Sequence, residues 1–193
     1  AVWDVFCKGV FFGDSSMDPC GNCLKGEALR KKITKEYANP DEVVVILGID
    51  DGEDCNRWKA AEKAQAPYSV WFPLMDGEPM MKTDIILWLQ ENDIEPPRLY
   101  QMGFKHNNCG GFCVKAGLGQ FAHLYKTMPE RYAYHESKEE EFRKFIGKDV
   151  AIMRDRRNNT SKPLTMRELR ERIDDGESFA YDSDWSCMCF VVI

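Results

Sequence analysis

The run Glu42-Val43-Val44-Val45-Ile46-Leu47-Gly48-Ile49 constrains this chain more than any other stretch. It is aliphatic and mostly β-branched, with no polar alternation after Glu42. That is the pattern of a strand covered on both faces, and such strands belong to parallel sheets with helices packed against them. An acidic turn, Asp50-Asp51-Gly52-Glu53-Asp54, leads into alanine-rich helical composition from Arg57 to Ala66, and a second apolar run, Ser69 to Phe72, closes at Pro73. Strand, helix and strand in that order predict an α/β fold: a mostly parallel, Rossmann-like sheet with flanking helices.

The remaining elements follow from local signals. Asp18-Pro19 offers an N-cap and a proline at the first helical position, predicting a helix through Gly21 to Tyr37 that ends at Asn39-Pro40. Thr83 caps a helix through Ile85-Ile86-Leu87-Trp88-Leu89, stopped by Pro96-Pro97. Leu99 to Gly111 reads as a polar loop, Val114 to Met128 and Pro129 to Ile146 as successive helices, and Asp149 to Met153 as a short strand. Thr165-Met166-Arg167-Glu168 has the capping-box pattern, with Leu169 and Ile173 spaced for one apolar face.

With 193 residues, 44% of them hydrophobic, the chain can build one core, so a single domain over 1–193 is expected, with 114–193 a helical C-terminal extension. Its 26 basic against 32 acidic side chains, net −6, argue against a general attraction to nucleic acid or anionic membrane. No apolar run is long enough to cross a bilayer, and no secretion signal is evident, so a cytoplasmic protein with no membrane partner is expected. The chain opens on Ala1, which predicts a start that has been lost or processed.

Eight cysteines fall largely in close pairs, Cys20/Cys23, Cys109/Cys113 and Cys187/Cys189. In a chain of this length without a secretion signal, such pairs point to metal or thiol chemistry rather than disulfides. Cys7 and Cys55 stand alone and read as small buried hydrophobes. The richest segment is Gly103-Phe104-Lys105-His106-Asn107-Asn108-Cys109-Gly110-Gly111-Phe112-Cys113-Val114-Lys115. Its glycines let the backbone approach a ligand, and a helix starting directly after them would offer N–H groups to an anion. Cys109 and Cys113, with Cys20 and Cys23, are candidate ligands for zinc or an iron–sulfur cluster; the bland reading is a glycine-rich loop with reduced, structural cysteines.

Gly48, Glu53 and Arg57 lie where a parallel sheet would place a ligand, at the carboxyl end of its strand, although Glu53 and Arg57 could equally form an i,i+4 ion pair. Cys20-Gly21-Asn22-Cys23 sits at an expected helix N-terminus, where the dipole favours thiolate. Cys187-Met188-Cys189-Phe190 is either a tail that delivers a thiol to the active site or an edge strand. Arg154, Arg156 and Arg157 make a basic cluster suited to phosphate or sulfate, Glu139 to Glu141 read as a solvated helix face, and His106, His123 and His135 are too scattered for a metal set.

Taken in order, Asp18-Pro19-Cys20 with Leu24-Lys25, Gly48-Ile49 with Glu53 and Arg57, Pro73-Leu74, Leu99-Tyr100 with Gly103-Phe104, and above all His106-Asn107-Asn108-Cys109-Gly110-Gly111 resemble the phosphoadenosine phosphosulfate reductase-like branch of the adenine nucleotide α-hydrolase superfamily. The likeness spans nearly the whole chain and is strongest to members encoded in phage and bacterial genomes. It departs in two respects: the family's Ser-Gly-Gly-x-x-Ser phosphate loop is absent, with Ser15-Ser16 no replacement, and the sequence around Cys187 and Cys189 differs from the reductases' C-terminal tail.

The resemblance implies an N-terminally incomplete adenine nucleotide α-hydrolase-like fold that takes ATP or phosphoadenosine phosphosulfate for sulfur-linked or nucleotidyl-transfer chemistry, with a thiol donor as partner. It also implies that Gly48, Glu53, Arg57, His106, Asn107, Asn108, Gly110 and Gly111 bind nucleotide, and that Cys109, Cys187 and Cys189 carry chemistry. Two other readings stand beside it. One is a non-catalytic module stabilised by zinc on Cys20, Cys23, Cys109 and Cys113. The other is a tRNA or DNA sulfur-transfer factor touching phosphates through Arg154, Arg156 and Arg157.

Overall fold

A computed structural model describes residues 2–9, 19–49, 55–78, 82–105, 107 and 109–181. Along the chain these form α1 (Val2–Gly9), α2 (Pro19–Gly21), α3 (Glu27–Glu36), β1 (Val44–Ile46), α4 (Cys55–Gln65), β2 (Ser69–Trp71), α5 (Lys82–Glu91), α6 (Arg98–Gln101), α7 (Leu118–Thr127), α8 (Pro129–Ile146), β3 (Met153–Asp155), β4 (Lys162–Leu164) and α9 (Met166–Asp174). The chain divides into two compact units, one built from 1–22 with 97–187 and the other from 23–96 with 188–193.

In the second unit, β1 and β2 pair in parallel, Val44 opposite Ser69, Val45 opposite Val70 and Ile46 opposite Trp71, with α4 as the crossover between them. The strand, helix and strand expected from the sequence are therefore present. The sheet built around them is not. Of the described residues, 62% are helical, and their strands make two separate two-stranded sheets, one parallel and one antiparallel, in place of a mostly parallel Rossmann-like sheet.

The physical reason is visible in β1. Val45 of β1 and Leu47 just after it are buried with Ile33, Ile49 and Ala61, whereas Val44 and Ile46 are 57% and 45% exposed and Trp71 on β2 is 47% exposed. An aliphatic run fits a strand buried on both faces, but whether a layer covers the second face is decided by the rest of the chain. On α5, Leu87 and Trp88 also face water.

The first unit is helical around one aromatic core. Trp3 and Phe6 of α1 pack with Phe112, Phe121 and Leu124, with Tyr132 and Phe142 of α8, and with Met166 and Leu169 of α9. Phe6, Phe121, Leu124, Tyr132, Met166 and Leu169 are 1% exposed or less, and burying each such side chain stabilises by about 1.5–3 kcal/mol before entropy is counted. β3 and β4 form an antiparallel hairpin with Met153 opposite Leu164.

Helix α9 starts as its sequence demands: the Thr165 hydroxyl accepts from the Glu168 amide while the Glu168 carboxylate accepts from the Thr165 amide. Helix α8 starts on Pro129 and stops at Gly147, whose φ of 64° is the left-handed cap that favours glycine. No helix among the described residues is long and apolar enough to cross a membrane.

Candidate functional site

The loop singled out by its composition lies in the first unit and has an unusual backbone. Cys109, Gly110 and Gly111 take φ of 55°, 59° and 86° in succession, so three adjacent residues are left-handed, one of them carrying a Cβ. Two neighbours explain why glycine is needed. A Cβ on Gly111 would meet the Phe104 ring at 2.8 Å and Leu124 at 3.1 Å, and a Cβ on Gly110 would meet the Arg131 guanidinium carbon at 2.7 Å. The loop is thus wrapped closely over Arg131, whose Nη2 donates to the Cys109 carbonyl at 3.3 Å. The Gln120 amide closes the other side by donating to the Gly111 carbonyl at 2.8 Å.

The start of the segment is held by a strap. His123 Nε2 donates to the Met102 carbonyl at 2.8 Å, and its ring lies against Gly103, where a Cβ would sit 3.3 Å away. Tyr181 stacks on His123 with ring centres 4.9 Å apart and 12° between planes. Its hydroxyl accepts from the Lys105 amide at 3.1 Å, and its carbonyl accepts from the Lys105 ammonium at 2.8 Å. Gly119 on α7 allows this approach, since a Cβ there would lie 2.7 Å from the Tyr181 Cα.

Under the loop, α8 presents Arg131, His135 and Glu139, spaced by four and therefore on one stripe of the helix. Trp3 Nε1 donates to His135 Nδ1 at 3.0 Å, and the imidazole stacks on Phe112 at 3.6 Å with 3° between planes. Burial, with a smaller contribution from the Arg131 charge, lowers the His135 pKa to about 3, so the ring is neutral at ordinary pH. Glu139 accepts from the Ile152 amide at 3.3 Å and the Met166 amide at 2.6 Å. It is 1% exposed, and burial raises its carboxyl to about pH 7 against the bonds that favour its charge. Glu139 is therefore not on the solvated face expected from the glutamate run: the charges of Glu140 and Glu141 masked a buried position one residue away.

Several expected features change place. The helix after the glycines begins at Leu118 with Gly117 as its cap, not at Val114, so no helix N-terminus follows Gly111 directly. Val114 is drawn into the core instead, at 3% exposed. Cys113 is buried, Cys20 and Cys109 are half-buried, and Cys23 is exposed. Cys20 lies in the first turn of α2, at a helix start as expected, whereas Cys23 lies in a π-helical turn, Asn22–Gly26, ahead of α3. Cys7, expected to be buried, is exposed on α1. Among the described residues, no three His, Cys, Asp or Glu side chains converge as a metal site.

In the second unit, Gly48 follows β1, and a Cβ there would meet only Leu74 at 4.0 Å, so packing does not demand glycine. Arg57 is half-buried on α4. In the first unit Asn107 is exposed. Glu53, His106, Asn108, Cys187 and Cys189 lie outside the described residues. In the basic cluster, Arg157 is engaged by Asp155 at 2.6 Å and Glu177 at 3.5 Å, while Arg154 and Arg156 face solvent. Sequence reasoning passed over Arg131 entirely. Its signal was there in the four-residue spacing to His135 and Glu139, interleaved with Tyr132 and Phe142.

Comparison with protein-family models, curated proteins and solved structures returns no match for this chain.

Proposed function

We propose that this chain is a cytoplasmic, phosphoadenosine phosphosulfate reductase-like protein that binds an adenine nucleotide, ATP or phosphoadenosine phosphosulfate, and serves sulfur-linked or nucleotidyl-transfer chemistry. The observation that carries the reading is the left-handed turn at Cys109, Gly110 and Gly111, seated on the Arg131 guanidinium. A backbone this closely apposed to a fixed cation suits the anionic end of a nucleotide. A cysteine thiolate is the form that attacks sulfur or holds a soft metal. Cys109 is the cysteine assigned to that role, with Cys187 and Cys189 as the further candidates.

Anaerobic purification, followed by metal and labile-sulfide analysis and by titration of ATP and adenosine phosphosulfates on the same sample, tests the reading. Saturable nucleotide binding is expected, weakened by Cys109→Ala if the thiol lies against the nucleotide. Stoichiometric zinc without nucleotide binding would replace this reading with a zinc-stabilised module.

A further inference from the structure

Two donors under the candidate loop have no acceptor. The indole N–H of Trp3 points at His135 Nδ1, so that nitrogen is the acceptor and the ring proton resides on Nε2. His135 is 4% exposed, and its Nε2 has no hydrogen-bond partner. One helical turn earlier, Arg131 Nε is likewise buried and unpartnered, although Nη2 of the same side chain reaches the Cys109 carbonyl. Buried donors are nearly always satisfied, and leaving two unsatisfied on one stripe of one helix is costly. Both side chains lie against the same loop: Arg131 against Cys109 and Gly110, His135 face to face with Phe112.

We propose that Arg131 and His135 are the donors for one tetrahedral oxyanion, a phosphate or sulfate group, held on α8 beneath the loop from Cys109 to Phe112. The chemistry favours an oxyanion over a neutral acceptor. Arginine supplies charge and a planar fork of donors, the neutral imidazole adds a single N–H, and a group with several acceptor oxygens can satisfy both. The inference rests on the preceding reading in taking this loop as the binding site, and it narrows the ligand to a group carrying such an oxyanion.

The test uses the full chain with ¹⁵N-labelled histidine. Sodium sulfate and sodium phosphate are titrated against sodium chloride at matched ionic strength while the His135 Nε2–H resonance is followed. A saturable shift with sulfate or phosphate, absent with chloride, is expected. Calorimetry should show binding weakened about tenfold or more in Arg131→Met and in His135→Phe, which keeps a ring on Phe112. A resonance that follows ionic strength alone would overturn the proposal, as would unchanged affinity in folded variants; the wild-type titration decides if the variants do not fold. Nucleotide binding that both variants retain would sink this inference and leave the nucleotide reading intact. Sulfate or phosphate binding without nucleotide binding would do the reverse.

Discussion

Replacing Glu139 with glutamine should change how stability depends on pH, by an amount that follows from the site. In the folded chain the carboxyl titrates at about 7, against 4.5 ordinarily, and burial is the dominant cause. A difference of about 2.5 units at about 1.36 kcal/mol per unit comes to roughly 3 kcal/mol. Because the folded value is raised, the folded state holds the proton more tightly. The contribution is fully present below about pH 4.5 and is lost as pH rises through 7. Glutamine does not titrate, so it removes that dependence. It also exchanges one acceptor oxygen for an amide, leaving either the Ile152 or the Met166 amide unsatisfied at a pH-independent cost of about 1–3 kcal/mol.

Relative to wild type, Glu139→Gln should therefore gain roughly 2–3 kcal/mol between pH 5 and pH 8, being the less stable protein near pH 5 and equal to or more stable than wild type near pH 8. The wild-type curve alone will not display this, because His135 acts oppositely. Its folded value is depressed to about 3, so its contribution is lost as pH falls below its ordinary 6.5. The difference between the two proteins, from urea unfolding followed by circular dichroism at pH 5, 6, 7 and 8, isolates Glu139. A difference constant within about 0.5 kcal/mol across that range would refute the reasoning.

Other outcomes follow from the same contacts. Gly111→Ala combines a φ of 86° with a Cβ pressed on Phe104 and should cost about 3 kcal/mol or more, whereas Gly147→Ala, at φ 64° with open space around it, should cost about 1. Thermal unfolding of the pair separates crowding from backbone strain, and equal losses would show that the Phe104 contact contributes nothing. Thr165→Ala removes the hydroxyl half of the α9 cap and should lower unfolding free energy by about 1 kcal/mol, with Thr165→Ser restoring most of it. Tyr181→Ala removes the hydroxyl that accepts from the Lys105 amide and the ring stacked on His123, leaving only the carbonyl contact to the Lys105 ammonium, and should speed limited proteolysis near 181; an unchanged cleavage rate would show that the Tyr181 side chain is not holding that segment.

Local chemistry was legible where it is self-contained. The cap of α9 needs only Thr165 and Glu168, and the boundary between α7 and α8 needs only Pro129, so both emerge from the sequence. Strand, helix and strand from β1 to β2 emerge for the same reason. The extent of the sheet does not, because Val44 and Ile46 have the same character whether or not a layer covers them. The loop of Cys109, Gly110 and Gly111 was marked by composition, but its cation was hidden. Arg131 follows twenty-two positions later, and only the packing of α8 beneath the loop joins them. Glu139 failed for a related reason: three successive glutamates look alike in sequence, and helix rotation selects one for burial.

The strap at Tyr181 has a mechanical side. By joining Tyr181 to Lys105 across 76 positions, it ties α7, α8, α9 and the hairpin into a closed chain segment. Tension applied at Tyr181 would load that clasp first, before the helices between the two joined residues, until Lys105 and His123 had let the tyrosine go.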